Sequence, residues 1–454
     1  MSSLTVTAPA EAEPLTNKKI WSLYLPLALS WLFMAAESPI CLSVISRLDN
    51  AKVNTAAFQL LLPLAIFIES PVIDLLSTST TLGRSKQAYR VLTRFALIMM
   101  TVVTVVHAAA CWTPLWGVIT QHIIKVDPAV ADAALWPMRI MTFWSACVGW
   151  RRYLQGIMIR AGVTRPIGFG TLVRVLTVGI TGLILFFTTK MDGLVIASIG
   201  LALSVFAECM FIHFAAKEVV HRVLVEPDSD AHITLGDLFK FHLPLTASTL
   251  VMLAGGPTLS WALSMSVDGV TQMAAWQIAF SLLWMFRTVT FALPEAVIAL
   301  NSGPLSRKTL LAFCLQIGAG CSVLMVLFHL TGLDKLWFGR VLGANVDLIP
   351  LAAGAFFMNA ILPLTNAMGS CFKGFLTSAK QTPSRLVAIV LGVITYVVLL
   401  VIGVRKGWDG ITNGTIATVC GQGVELLALV IAWALASRGV DRRDQEALEN
   451  VSKA

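Results

Sequence analysis

Apolar runs of more than 20 residues alternate with short polar breaks along nearly the whole chain. A helix needs about 20 apolar residues to cross the hydrocarbon core of a bilayer. The pattern predicts twelve such helices, at 20–46, 53–80, 93–118, 129–158, 167–188, 192–216, 238–266, 271–301, 308–331, 347–376, 384–404 and 410–436. The expected fold class is therefore all-α and polytopic. The first run is too long for a signal-peptide core and has no cleavage pattern, so it reads as a retained helix. The long polar insert at 217–237 clusters charge with Pro, Asp and Ser, and reads as a cytoplasmic linker. It divides the chain into a tail at 1–19, a six-helix half at 20–216, a second half at 238–436 and a tail at 437–454.

The two halves repeat. At a shift of 218 residues, Leu25-Pro26-Leu27 becomes Leu243-Pro244-Leu245, and Pro39 becomes Pro257. Ala56-Ala57-Phe58-Gln59 becomes Ala274-Ala275-Trp276-Gln277, and Gln155-Gly156 becomes Lys373-Gly374. At 217, Asp192-Gly193 and Glu208 become Asp409-Gly410 and Glu425. At 222, Lys86 and His107 align with Lys308 and His329. An even number of helices per half makes the copies parallel.

Composition narrows the class. Of 454 residues, 57% are hydrophobic and 13% charged. Soluble domains carry about a quarter charged residues, so the bilayer is the fitting solvent. The net charge of +8 lies in loops and sets topology rather than marking a nucleic-acid partner. Lys and Arg number 22 at the termini and even-numbered loops and 8 in the other loops, which predicts a protein integral to the cell (inner or plasma) membrane with both termini cytoplasmic. Eight cysteines without a CxxC pair read as small buried hydrophobes.

Charges inside spans are costly and mark cavities or ion pairs. Arg139, Arg174 and Arg287 are the arginines so placed; Glu37, Glu69, Asp74, Glu208, Glu295 and Glu425 are the acids. Arg287 lies near mid-bilayer and reads either as an anion-binding group or as an arginine neutralised for packing. Arg174 lies within snorkelling reach of the cytoplasmic face. The repeat makes Glu69 equivalent to Arg287, so an ion pair across a central cavity is expected. Glu208 and Glu425 are expected to tie helices together within each half. The expected substrate-binding or gating set is Arg287, Glu69, Arg139, Glu37, Gln59 and Gln277. Pro26, Pro39, Pro244 and Pro257 are expected to kink cavity-lining helices, because proline removes a backbone bond. No P-loop, HExxH, GxSxG or His/Cys cluster is present. The expectation is a transporter and not an enzyme, with no cofactor or metal, driven by an H⁺ or Na⁺ gradient or by the substrate's own.

Several motifs carry a family resemblance. They are Trp21-Ser-Leu-Tyr-Leu-Pro-Leu-Ala28 with Ser38-Pro39, Trp150-Arg-Arg-Tyr-Leu-Gln-Gly156 with Arg174, and Phe239-Lys-Phe-His-Leu-Pro-Leu245 with Gly256-Pro257. Together they resemble the multidrug/oligosaccharidyl-lipid/polysaccharide (MOP) exporter superfamily, with its MATE-like fold, and within it the progressive ankylosis (ANK) transporter family and its bacterial relatives. That resemblance implies alternating access between the halves and export of a small anion such as citrate, pyrophosphate or a nucleotide. The alternatives are a MATE-like cation or multidrug exporter using Glu37, Glu69 and Asp74, a flippase for a lipid-linked precursor, and a membrane scaffold without transport. The major facilitator class also has parallel six-helix halves. Its GxxxDRxGRR-like loop is absent from Leu82-Gly-Arg-Ser-Lys-Gln-Ala-Tyr-Arg90.

Overall fold

The computed structural model describes residues 15–83, 85–225, 233–379 and 381–453. Most of the N-terminal tail and residues 226–232 of the linker lie outside it, as do Arg84 and Lys380. Among the described residues, eleven helices are long and apolar enough to cross a membrane: α1 Asn17–Ile45, α2 Ala51–Leu82, α3 Lys86–Trp112, α5 Arg165–Thr188, α6 Gly193–Ala215, α7 Leu235–Ser264, α8 Gly269–Leu300, α9 Pro304–Leu330, α10 Leu348–Ser378, α11 Pro383–Arg405 and α12 Gly410–Ser437. The twelfth, α4, spans 128–160 in three pieces, Pro128–Ile140, Met141–Phe143 and Trp144–Arg160. It is less apolar because Arg151 and Arg152 lie within it. The chain is thus an all-helical polytopic membrane protein of two parallel six-helix repeats.

The repeat is written into the backbone. α3 and α9 are both 27 residues long and start 218 apart. α1 breaks at Ala36 and α7 at Ala254, again 218 apart. Each break falls three residues before a proline, Pro39 or Pro257, whose missing N–H leaves a carbonyl of the previous turn without its helical partner. Pro26 and Pro244 lie within unbroken helix, so the expected kinks follow the second proline of each pair and not the first. The α1–α2 turn needs a left-handed residue at Asn50 (φ 55°) and the α7–α8 turn one at Asp268 (φ 53°). Asn and Asp tolerate that conformation through local hydrogen bonding. After α3 and α9 the chain tightens into matching π-helical turns, Val118–Ile123 and Trp337–Val341.

Four expectations change. α3 starts at Lys86 rather than 93, because the Ser85 side chain accepts from the Ala88 N–H and caps the helix there. Equal lengths of α3 and α9 put the register between them at 218, not 222. His107 is therefore equivalent to Met325, and the two histidines do not correspond. His107 bonds the Met138 carbonyl at 3.0 Å, and His329 bonds Asp334 at 2.7 Å. Part of the 217–237 insert is a short helix, Lys217–Val225, and the final helix continues to Lys453.

Small residues let the helices of each half approach closely, as membrane helices require in the absence of a hydrophobic drive. A Cβ at Gly156 of α4 would lie 1.9 Å from Ser79 Oγ and 2.5 Å from the Leu76 carbonyl of α2. One at Gly374 of α10 would lie 2.6 Å from Val297 Cγ1 of α8. The halves meet along α2 and α8 at the centre.

Candidate functional site

Most charged residues inside the spans fall into two clusters, one in each half, with Arg139, Asp74 and Glu295 outside them. In the first half, Arg174 of α5 grips Glu37 of α1 with a two-pronged fork through Nε and Nη2, the latter at 2.7 Å from Oε2. Its Nη1 lies 3.7 Å from Glu208 of α6, and Glu208 also accepts from Arg151 of α4. Glu69 of α2 accepts from the Trp144 indole N–H, and the Arg174 guanidinium lies 5.5 Å over the Trp144 ring. Arg152 lies within electrostatic reach of both Glu208 and Glu69. Three carboxylates thus face three guanidiniums, and Glu37, Glu69, Glu208, Arg151 and Arg174 are all buried. The break at Ala36 presents Glu37, at the start of the second segment of α1, to α5.

The second half is built differently. Lys373 of α10 pairs with Glu425 of α12 at 2.6 Å. Beside them Thr365 bonds Gln422 at 3.2 Å, and these four residues with Asn366 and Gly369 line a small polar pocket. Asn366 donates to Thr290, whose hydroxyl bonds the Arg287 carbonyl at 2.7 Å. Arg287 itself is 9% exposed. Its Nε is buried without a partner, and among the described residues its guanidinium makes no hydrogen bond or ion pair. It lies 5.9 Å over the Trp284 ring and within electrostatic reach of Glu425.

The structure therefore corrects the expected Glu69–Arg287 pair. Pseudosymmetry gives the two residues matching positions, yet each side chain turns into its own half. Arg174 does not snorkel; it is buried on Glu37. Arg139 is no part of either cluster. Its Nε donates to the Cys111 carbonyl at 3.0 Å, and its guanidinium sits 4.9 Å from Trp112 and 5.1 Å from Trp136. Both tryptophans have more than half their surface exposed, which fits an anchor at the membrane interface. Gln59 and Gln277 lie where the halves touch: Ser260 donates to the Gln59 carbonyl at 3.0 Å, and Gln277 donates to Ser38 at 3.4 Å. Glu208 and Glu425 tie helices within each half as expected. Arg151, Arg152 and Lys373, which the count of 22 basic residues places with the loops, lie within helices. Each lies at least five residues inside a helix end, and that spacing was the available signal.

Two sets of contacts hold the halves together. At the ends of α1 and α7, Arg47 donates to the carbonyls of Arg340, Val341 and Leu342 at 2.8–3.1 Å, and Lys52 lies 3.8 Å from both Asp268 and Asp347. The Thr271 hydroxyl, donating to Asp268, holds that carboxyl below its ordinary range. The pseudosymmetric contact is lighter, a single bond from Ser264 to the Ile124 carbonyl at 2.8 Å. Toward the chain termini, Tyr24 bonds the Val289 carbonyl at 2.9 Å, and His242 bonds Thr78 and the Pro71 carbonyl.

No protein-family model matches this sequence, and no curated protein matches it. Solved structures match the fold. An inward-facing multidrug resistance MATE family transporter of the MOP superfamily aligns over 90% of this chain and 98% of its own, at 14% identity and a TM-score of 0.67. The lipid II flippase MurJ in an inward closed conformation aligns over 89% and 87%, at 11% identity and 0.68. A MOP superfamily transporter from Pyrococcus furiosus, described by a reverse polarity of its binding pocket that suggests a different function, aligns over 94% and 98%, at 14% identity and 0.59. At such identities the likeness is one of fold: this chain has the fold of the MOP superfamily transporters.

Proposed function

We propose that this protein is a secondary active transporter that exports a small organic or phosphorylated anion by alternating access between its two halves. The observation that carries the reading is Arg287, a buried guanidinium with no ion-pair partner among the described residues. A charge in that position is costly, and an arriving carboxylate or phosphate offsets the cost by taking its forked donors. Two cations, Arg287 and Lys373, share one resident carboxylate, Glu425. An anionic substrate would complete the balance. Two of the three carboxylates expected of a cation exporter are committed elsewhere, Glu37 to Arg174 and Glu69 to Trp144, while Asp74 lies at the α2–α7 contact. The resemblance to the ANK family points to the same substrate class.

The test is efflux from proteoliposomes loaded separately with citrate, pyrophosphate and ATP, and with a cationic dye for contrast. At least one anion should leave faster than from empty-protein controls. Arg287→Ala should cut that rate at least about tenfold, the equivalent of about 1.4 kcal/mol of lost binding. Arg287→Lys keeps the charge but loses the fork and should fall between. Dye efflux without anion efflux, or Arg287→Ala at wild-type rate, sinks the reading.

A further inference from the structure

The contact between α2 and α7 joins the two halves through buried groups that the anion site does not use. His242 of α7 is 2% exposed. Its Nε2 lies 2.8 Å from the Pro71 carbonyl, which can only accept, so Nε2 carries a hydrogen. Its Nδ1 lies 2.8 Å from Thr78 Oγ. A hydroxyl can donate or accept, so this bond survives whether Nδ1 is bare or protonated. The break in α2 at Asp74 places that carboxyl one turn from Thr78 and within electrostatic reach of His242. Asp74 Oδ2 is buried without a hydrogen-bond partner.

An ionised Asp74 beside a neutral His242 would have the Thr249 side chain as a polar neighbour but, among the described residues, no opposite charge at ion-pair distance for a half-buried carboxylate. One proton removes the problem, on His242 as a cation whose field reaches Asp74 or on Asp74 as a neutral acid. The other groups facing the joint do not supply that compensation. Arg152 of α4 also reaches Asp74, but its charge is shared with Glu69 and Glu208. α3 presents the Phe95 ring, 5.1 Å from the imidazole, while its Arg90 and Arg94 are exposed. Tyr396 of α11 is occupied with the Gly255 carbonyl at 3.1 Å. Asp237 and Lys240 of α7 itself are exposed.

We infer that the α2–α7 joint binds one proton between His242 and Asp74 when closed and releases it to water when the halves separate. Opening breaks the Thr78 and Pro71 bonds, hydrates both groups and leaves a neutral imidazole and a free carboxylate at neutral pH. Its place in a transport cycle rests on the transporter reading above and would make the proton the coupling ion. The joint itself is testable without any substrate.

Spin labels at Thr81→Cys and Lys240→Cys, in a Cys420→Ser background in lipid nanodiscs, report the α2–α7 distance. In the otherwise native protein the ratio of separated to closed populations should rise about tenfold per pH unit over part of the range from pH 5 to 9, as release of one proton requires. His242→Gln retains a donor and an acceptor for Pro71 and Thr78 but cannot bind a proton. It should reduce the pH response below about twofold per unit, as should Asp74→Asn. A distance insensitive to pH in the native protein overturns the inference, as does a full response in either variant. Because no substrate is present, failure here leaves the anion reading standing, and failed anion efflux leaves this joint standing.

Discussion

The two halves share one backbone plan and differ in how they settle buried charge. In the first half, α1, α2, α4, α5 and α6 bring together three carboxylates and three guanidiniums, and the carboxylates all find partners inside the half. In the second, two cations lean on one carboxylate and Arg287 is left unpaired. Duplication supplied the scaffold, and substitution at equivalent positions divided the labour. Glu69 corresponds to Arg287, Gln155 to Lys373, and Glu37 to Gly255. A self-neutralised cluster stiffens its half, whereas an unbalanced one asks for a ligand. On the proposed reading, stability is concentrated in the first cluster and binding in the second.

The largest expected effect follows from breaking the balanced cluster. Arg174→Ala strands Glu37 and weakens the hold on Glu208. Removing one partner of a buried pair costs about 3–5 kcal/mol, so this variant should lose most of its folded yield. Its melting temperature in detergent should fall by many degrees. Glu37→Gln together with Arg174→Gln removes both charges and should recover much of the loss. Arg287→Ala deletes an unpaired charge and should melt at or above the wild-type temperature while losing transport. If Arg287→Ala unfolds as readily as Arg174→Ala, the contrast between the halves is wrong.

Hydrophobic patterning gave away the fold, because in lipid every backbone group must be satisfied within its own helix. The repeat sharpened it: the breaks at Ala36 and Ala254 were legible in Pro39 and Pro257. The candidate site was only half legible. Arg287, Glu37 and Glu69 stood out as charges in apolar runs. Their partners did not, because partner choice depends on which way each helix faces, and a pseudosymmetric register gives depth without facing. Arg151 and Lys373 were hidden for another reason. They sit within a few turns of true loops, so a count of basic residues absorbed them. Setting aside Arg94, Arg151, Arg152, Lys240 and Lys373, each at least five residues inside a spanning helix, leaves 17 basic residues against 8, and the expected orientation is unchanged. External labelling of a cysteine at position 86 or 160 by an impermeant thiol reagent would reverse it.

A middle-sized effect is expected where the halves close on each other. Arg47 makes three hydrogen bonds to carbonyls of the opposite half, whereas the pseudosymmetric contact is one bond from Ser264. Hydrogen bonds from a charged group contribute about 1.5–3 kcal/mol each before other contacts readjust. Arg47→Ala should therefore shift the population toward separation of the α1 and α9–α10 ends, seen as a longer distance between labels there. Ser264→Ala should shift it much less. Equal effects from the two would mean that the closure is symmetric in energy despite its geometry.

The smallest effect is expected at Arg139, and it tests whether membrane depth alone identifies a functional arginine. The residue lies inside an apolar run, as Arg287 does, and from sequence the two belong together. Their surroundings differ. Arg139 rests against two tryptophans that are more than half exposed, and its Nε satisfies the Cys111 carbonyl near the end of α3. Partly exposed cation–π contacts contribute about 0.5–1 kcal/mol, and the single backbone bond adds a similar amount. Glutamine can reach the same carbonyl with an amide N–H. Arg139→Gln should lower the melting temperature slightly and leave anion efflux within about twofold of wild type. The paired measurement is Arg287→Gln in the same vesicles, which removes the fork from a buried site with no substitute partner. If Arg139→Gln abolishes efflux while Arg287→Gln does not, the anion site lies at the flank of the first half and the division of labour between the halves is reversed.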